Sequence, residues 1–320
     1  MSTQERIKTM MIGNYPVTWI IMEVMSVVLF AMFMRHALNS DPPKQKLFEL
    51  CCFVLAAALF EHVGVLGGNY WYSQERFMQF GLLPLSILLI ESVIMYSAMI
   101  LFEYTNIPKW SIIWFVGILS TIQDMTIDPV YVQDRYVFNG VAQGHWNWDI
   151  YYDTTFFGIP FFNFSSWFFM TGLYAGLMML GRHLYEKKQK EWIGISYPFV
   201  SAVLLIVALV PTAILLIKPV YSDNPTFLFW YELIALIFNF ACAVVLMAKY
   251  WKKMSPVNIK KDGLVIFAVP AVLHLYDILV GFGLGIEKSY IPVVVFTVIH
   301  MAYLFVIYRK SRKAVSNSAK

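Results

Sequence analysis

About nine stretches of mostly apolar residues alternate with short polar segments along the chain. Roughly 20 apolar residues suffice for a helix to cross the hydrocarbon core of a bilayer. The pattern therefore predicts an all-α, polytopic transmembrane helical bundle of about nine spans. The predicted spans are residues 16–34, 47–66, 80–102, 110–129, 156–180, 193–217, 227–249, 263–286 and 290–308.

Several of these predicted spans contain proline. Membrane helices tolerate proline when neighbouring groups bond the backbone carbonyl that proline leaves free. We therefore expect Pro84 inside the third helix, Pro160 inside the fifth and Pro270 inside the eighth. Pro198 and Pro211 are expected inside the sixth helix.

Composition and charge support a membrane protein with a defined orientation. The chain has 320 residues, of which 59% are hydrophobic and 14% charged, against about 25% charged in soluble domains. Lys and Arg concentrate in the loops after odd-numbered spans and in the C-terminal tail. This bias predicts an outer N-terminus and a cytoplasmic C-terminus. We expect one integral membrane domain over residues 1–320, with a basic cytoplasmic tail at 309–320, in the cell membrane.

The longest predicted connection covers residues 130–155 and is rich in aromatic side chains. Loops of this length inside a compact protein are often functional, and Trp and Tyr suit a membrane interface. We therefore expect an outer aromatic loop that lies over the bundle surface as a lid. Its aromatic residues include Tyr131, Tyr136, Trp146, Trp148, Tyr151 and Tyr152.

Polar residues in five predicted spans fall at a similar depth. With a rise of about 1.5 Å per residue, they lie about 7–14 Å below the outer boundary. A single membrane carboxyl often only bonds a neighbouring group, but a matched layer predicts a polar pocket under the aromatic loop. The layer consists of Glu61, Asp124, Asn163, Glu232 and Asp277, with Glu91 expected deeper.

Two of these positions define the candidate chemistry. Asp124 and Asp128 are one helical turn apart in "TIQDMTIDPV", so both carboxyls occupy one helix face. Two acids in apolar surroundings repel when both are ionised, so one is expected to keep its proton and serve as a general acid. Aromatic faces nearby can stabilise a transient cation. This combination suits protonation of an alkene.

Four segments between Glu61 and Trp167 carry a family resemblance: "EHVGVLGGNYWY", "DMTIDPV", "GHWNW" and "FFGIPFFNFSSW". This region, about a third of the chain, resembles the membrane carotenoid 1,2-hydratases. That family includes the gamma-carotene 1',2'-hydratase and the bisanhydrobacterioruberin hydratase. The chain departs from the family at Ser166, where the usual residue is Gly.

The resemblance implies a hydro-lyase that adds water across the terminal 1,2 double bond of an acyclic carotenoid. The bilayer and water are the other expected partners, with no cofactor, metal or nucleic acid. Asp124 or Asp128 is the expected proton donor. Asn163 and Glu61 are expected to hold and deprotonate the water. The expected substrate-binding residues are Tyr70, Tyr72, Glu91, Trp146, Trp148 and Trp167.

A membrane terpenoid cyclase or isomerase remains an alternative, because it would begin with the same protonation step. A proton-coupled transporter is a second alternative, with Glu91, Glu232 and Asp277 as a carboxyl relay.

A prenyl-diphosphate enzyme is a third alternative, since Asp124 and Asp128, like Asp149 and Asp153, have a spacing that could hold Mg²⁺. The predicted outer location argues against it. So does the scarcity of Lys and Arg near the pocket, where only Arg135 is close.

Overall fold

The computed structural model describes residues 11–105, 107–149, 155–212, 225–250 and 264–318. Within these ranges the fold is an α-helical bundle, and nine of its helices are long and apolar enough to cross a membrane. This confirms the predicted all-α class and helix number for the described chain. The helices are α1 Val17–Leu38, α2 Pro43–Leu66, α3 Leu85–Glu103, α4 Ile112–Tyr131, α5 Phe161–Lys188, α6 Glu191–Thr212, α7 Pro225–Tyr250, α8 Val265–Gly283 and α9 Glu287–Ser318.

Five short antiparallel strand pairs occupy connections at one end of the bundle, which we call the strand-bearing end. Successive membrane-length helices alternate in direction. The start of α1, the α2–α3 connection and the α4–α5 connection therefore lie at the same end. The pairs are β1 Met11–Ile12 with β2 Tyr15–Pro16, β3 Tyr70–Tyr72 with β8 Trp146–Trp148, β4 Gln79–Phe80 with β5 Leu83–Pro84, β6 Tyr136–Phe138 with β7 Val141–Gln143, and β9 Thr155–Phe156 with β10 Ile159–Pro160.

The predicted starts of the third and fifth helices are wrong. Pro84 and Pro160 precede α3 and α5 in extended backbone, with ψ angles of 132° and 138°. Proline has no backbone N–H, so it suits the position just before or at a helix start, where no intrahelical bond is lost. The structure confirms Pro198, Pro211 and Pro270 inside their helices.

Several helices extend beyond the apolar runs that predicted them. The helix α5 continues to Lys188 and α9 to Ser318, past the predicted ends at residues 180 and 308. Hydropathy detects only the apolar part of a helix, whereas charged residues can continue it beyond the hydrocarbon region. Residues 213–217 of the sixth predicted span, residue 263 of the eighth and residues 319–320 of the tail lie outside the described residues. The predicted orientation of the termini stays a prediction.

The central helices are α3 and α4, which are buried on almost all sides. Two glycines allow α4 and α5 to approach closely. A Cβ at Gly172 would lie 2.5 Å from the Ile113 carbonyl oxygen, and one at Gly117 would lie 2.9 Å from that of Phe168. Small residues at a helix interface commonly permit such packing in membrane proteins. The contact fixes the register between the two helices that carry the acid pair and its partner.

A buried ion-pair cluster joins four helices at the opposite end of the bundle. Arg182 of α5 binds Glu49 of α2 at 2.5 Å and also binds Glu103 of α3. Lys46 lies 2.8 Å from Glu103, and Tyr197 of α6 donates to Glu49. Truncating one partner of such a cluster leaves a buried charge unpaired, which costs about 3–5 kcal/mol. The cluster therefore holds α2, α3, α5 and α6 together at that end.

Candidate active site

All ten residues that the sequence assigned to the site line one cavity. The cavity encloses about 460 Å³ of space free of protein atoms, part of it open to the surroundings. The structure therefore brings the predicted site residues together, while their catalytic and binding roles stay predictions. The lining consists of Met22, Glu61, Tyr70, Tyr72, Ile87, Ile90, Glu91, Ile94, Asp124, Ile127, Asp128, Trp146, Trp148, Asn163 and Trp167.

One amide side chain connects the two aspartates. Asn163, in the first turn of α5, donates from Nδ2 to Asp124 Oδ2 at 2.8 Å and to Asp128 Oδ2 at 2.7 Å. Asp124 and Asp128 are four residues apart on α4 and both are buried, so their carboxyls share one helix face. Asn163 thereby fixes the orientation of both carboxyls toward the cavity.

Two further carboxyl groups line the cavity from other helices. They belong to Glu61, near the C-terminal end of α2, and to Glu91 of α3. Tyr70 donates to Glu61 Oε2 at 2.8 Å, and Tyr72 donates to the same oxygen. The sequence placed Glu91 deeper than the layer, and the structure puts it in the same cavity lining as Glu61.

The two tyrosines that contact Glu61 act only as hydrogen-bond donors. Burial, reinforced by the nearby Glu61 carboxyl, raises the pKa of Tyr70 and Tyr72 well above the ordinary value. Both phenols therefore keep their protons over the physiological pH range. They hold the Glu61 carboxyl and leave its second oxygen free for other partners.

Among the residues that the structure describes, the cavity lining contains four carboxyl groups and no Lys, Arg or His. Four ionised carboxylates in this low-dielectric site would have no counter-charge. Burial without a counter-charge therefore disfavours ionisation of all four groups at once.

Aromatic side chains form the roof of the cavity through the pairing of β3 with β8. In this register Tyr70 is opposite Trp148 and Tyr72 is opposite Trp146. Their ring centroids are 4.8 and 6.1 Å apart. Trp167 on α5 completes the aromatic lining. Such π-faces attract a cation held close to them.

The structure places part of the aromatic loop over the cavity. Trp146 and Trp148 are buried, pair with β3 and line the cavity, as the sequence predicted for these two residues. The outer position of the loop stays a prediction. Tyr151 and Tyr152 lie outside the described residues. So does Asp153 of the second aspartate pair.

Two members of the predicted polar layer lie outside the cavity lining. Glu232 is buried elsewhere on α7. Asp277 on α8 accepts a hydrogen bond of 2.9 Å from Thr126, on a different face of α4 from the aspartate pair. The sequence therefore predicted how deep these residues lie along their helices. It did not predict the direction in which each side chain points.

A buried polar cluster that the sequence did not predict anchors the aromatic loop. Asp134, just after α4, accepts from Thr18 at 2.6 Å and lies 3.2 Å from His145 Nε2. Arg76 lies 3.0 Å from His145 Nδ1 and donates to the His145 backbone carbonyl at 2.6 Å. The guanidinium also lies 4.1 Å from the ring centre of Trp19. We call these residues the loop anchor. Within the family-like segments, only "GHW" includes one of its members, His145.

Burial controls the charge states in the loop anchor. It raises the pKa of Asp134 to about 6, although hydrogen bonds from Thr18 and Tyr136 oppose the shift. Burial, and secondarily the Arg76 charge, lower the pKa of His145 well below the ordinary value. Burial also lowers the pKa of Arg76 to about 10. At neutral pH the anchor thus contains a carboxylate, a neutral imidazole and a guanidinium. The immediate neighbour of His145 is Trp146, so the anchor also positions the cavity roof.

The fold and the cavity together define an α-helical protein with membrane-length helices around an acidic, aromatic-walled site. The chain gave no match in comparisons with protein-family models, with curated proteins or with solved structures.

Proposed function

We propose that this protein is an integral membrane hydro-lyase of the cell membrane that hydrates the terminal 1,2 double bond of an acyclic carotenoid. One observation carries the proposal. Four carboxyl groups line one cavity with aromatic walls, and the described part of its lining includes no basic side chain. Such a site can protonate an alkene, stabilise the resulting cation and take a proton from the attacking water.

In the proposed first step the Asp124–Asp128 pair gives a proton to C2 of the terminal double bond. The π electrons form the new C–H bond, and C1 becomes a tertiary cation. Asn163 steadies the aspartates as they become more negative, because its amide can donate to both. Trp146, Trp148 and Trp167 stabilise the cation through their π-faces.

In the second step a water molecule attacks C1 and forms the C–O bond. The Glu61–Glu91 pair accepts the proton that the water releases. The proton then returns to the aspartates through water in the cavity, so that the enzyme is restored and the net reaction adds one water. Tyr70 and Tyr72 hold Glu61 throughout.

Only one end of the long substrate needs to enter the cavity, because the proposed reaction concerns the terminal double bond alone. The remainder of the substrate then lies in the surrounding lipid.

The deciding experiment is pigment analysis of a host that makes lycopene, with and without this protein. We expect a new, more polar pigment that is heavier by one water for each modified end. Asp124→Asn and Asp128→Asn should abolish the new pigment at normal expression. Asp149→Asn is the matched control, because Asp149 lies outside the cavity lining and accepts a hydrogen bond from Trp71. An unchanged pigment profile with confirmed expression of the unaltered protein would refute the proposal.

A membrane terpenoid cyclase or isomerase is the second candidate. The same acid pair and aromatic walls support it, since both reactions begin with protonation of an alkene. Oxygen from labelled water enters the product of a hydratase but not that of a cyclase or isomerase. Mass spectrometry of the pigment made in labelled water separates the two candidates.

A further inference from the structure

A second buried chamber lies between four helices, next to the carboxyl cavity. It is small, with about 10 Å³ of space that a water molecule could occupy, and its lining is mostly apolar. Its polar groups are Ser97 of α3, Gln123 of α4 and His300 of α9. None of the three lines the carboxyl cavity.

The two cavities are stacked along α3 and α4. On α3 the carboxyl cavity uses Ile87 to Ile94, and the chamber uses Ile94 to Leu101. On α4 the chamber residue Gln123 immediately precedes Asp124 of the carboxyl cavity. Ile94 lines both spaces, so a single aliphatic side chain forms part of the partition between them.

Two buried polar atoms in the chamber bond no other described protein group. They are Gln123 Oε1 and His300 Nε2, on side chains that are only 1% and 3% exposed. Glu91 Oε2, in the carboxyl cavity three residues before Ile94, is likewise unbonded. Buried polar groups almost always have a hydrogen-bond partner, and ordered water is the usual one when protein supplies none.

A hydrogen-bond network holds the His300 ring in place through its other nitrogen. His300 Nδ1 lies 2.9 Å from His274 Nε2. His274 Nδ1 in turn lies 3.2 Å from the Thr126 hydroxyl and 3.1 Å from that of Thr297. Because Nδ1 of His300 is already bonded, Nε2 is the ring nitrogen left for a ligand.

We propose that the chamber is a water-binding site that supplies the water consumed in the carboxyl cavity. Water bonds Gln123 Oε1 and His300 Nε2, passes Ile94 and reaches the free oxygen of Glu91. The site needs a small ligand that both donates and accepts hydrogen bonds, and the apolar remainder of its wall gives a larger polar molecule no partners. The supply role rests on the proposed hydration, whereas the water site itself does not.

The first test is an experimental structure at a resolution that shows ordered water. We expect water within hydrogen-bonding distance of Gln123 Oε1 and His300 Nε2 in the unaltered protein. We expect it to be absent in Gln123→Met, which keeps the side-chain length and removes the polar atoms. A dry chamber in the unaltered protein would overturn the proposal, whatever the activity.

The second test measures how the cation is partitioned between water capture and proton loss. A poorer water supply should lower the ratio of hydrated to rearranged pigment by about tenfold, the effect of one lost hydrogen bond. Total consumption of the alkene should change less, because protonation precedes water capture. Gln123→Met and His300→Phe are the test variants. His300→Gln, which can place a polar atom near the Nε2 position, should restore the ratio.

Leu273→Met is the control for altered packing, because it changes an apolar chamber residue and keeps the polar atoms. Its product ratio should equal that of the unaltered protein. Equal ratios in all variants would overturn the supply role. Ordered water in the chamber of a protein that hydrates nothing would refute the proposed function and the supply role, and would leave the water site established.

Discussion

Thr18 Oγ1 lies 2.6 Å from Asp134 Oδ2, although the two residues are 116 positions apart in the chain. Thr18 is in the first turn of α1, and Asp134 begins the connection that carries β8 into the cavity roof. The hydroxyl therefore fastens the roof to a helix that contributes Met22 to the same cavity. The loop anchor links the stability of the roof to the charge of one carboxyl.

The first prediction concerns the pH dependence of stability. The pKa of Asp134 is about 6 in the folded protein, against 3.8 ordinarily. As the pH rises, the folded state therefore keeps this proton to a higher pH than the unfolded state does. Relative to Asp134→Asn, the unaltered protein should lose up to about 3 kcal/mol of stability as pH rises from about 4 to about 6. Thermal unfolding in detergent across this range provides the measurement.

His145 supplies a control of opposite sign. Its pKa is lowered in the folded protein, so the unfolded state takes up a proton first as the pH falls. Relative to His145→Gln, the unaltered protein should therefore lose stability as pH falls below about 6.5. Parallel stability profiles for the unaltered protein and both variants would contradict the charge assignment in the loop anchor.

A second prediction concerns the bridge between the aspartates. Asn163→Ala removes two hydrogen bonds to the acid pair, and a bond to a charged group is worth about 1.5–3 kcal/mol. The yield of hydrated pigment should fall about 10- to 100-fold at unchanged expression. An unchanged yield of hydrated pigment from Asn163→Ala would show that Asp124 and Asp128 do not need Asn163 to orient them. Asn163→Ser tests for partial rescue, because a hydroxyl can still donate to one of them.

The third prediction concerns the hydrogen bonds that Tyr70 and Tyr72 donate to Glu61. Losing either hydroxyl should matter more than losing the hydroxyl of an ordinary buried tyrosine. Tyr70→Phe and Tyr72→Phe each leave a Glu61 oxygen with one donor fewer. Each change should reduce pigment hydration and cost about 1–3 kcal/mol of stability. Tyr303→Phe is the matched control, since the buried Tyr303 hydroxyl bonds no described protein group. Equal effects in all three variants would argue against a specific role for the Glu61 contacts.

A fourth prediction tests the close approach of α4 and α5. Gly172→Ala would place a Cβ against the Ile113 backbone, which cannot move without separating the helices. Stability should fall by about 1–3 kcal/mol, and hydration should fall with it, because Asn163 would move away from the aspartates. Gly283→Ala meets no atom within 4 Å and should leave unfolding temperature and pigment yield unchanged. Equal unfolding temperatures for the two variants would contradict this account of the interface.

Much of the cavity was predictable because depth in a membrane helix follows directly from residue number. The sequence placed Glu61, Asp124 and Asn163 at one level, and the structure puts all three in one cavity. It also assigned Asp277 to that level, but rotation about the helix axis turns Asp277 toward Thr126. That rotation depends on which helices are neighbours, and hydropathy does not encode it.

The strand pairing of the roof and the existence of the chamber could not be predicted for a related reason. The β3–β8 pairing joins segments more than 70 residues apart, and three-residue strands have no alternation long enough to reveal them. The chamber depends on Gln123 and His300 meeting from different helices. Each, taken alone in the sequence, resembles an ordinary buried polar residue.

The Arg182 cluster bears on how a substrate would enter the proposed site. Its charges hold four helices together at the end remote from the carboxyl cavity, and parting them there would leave buried ions unpaired. On the proposed function, the carotenoid end is therefore expected to enter between the helices near the roof, while the opposite end of the bundle stays closed.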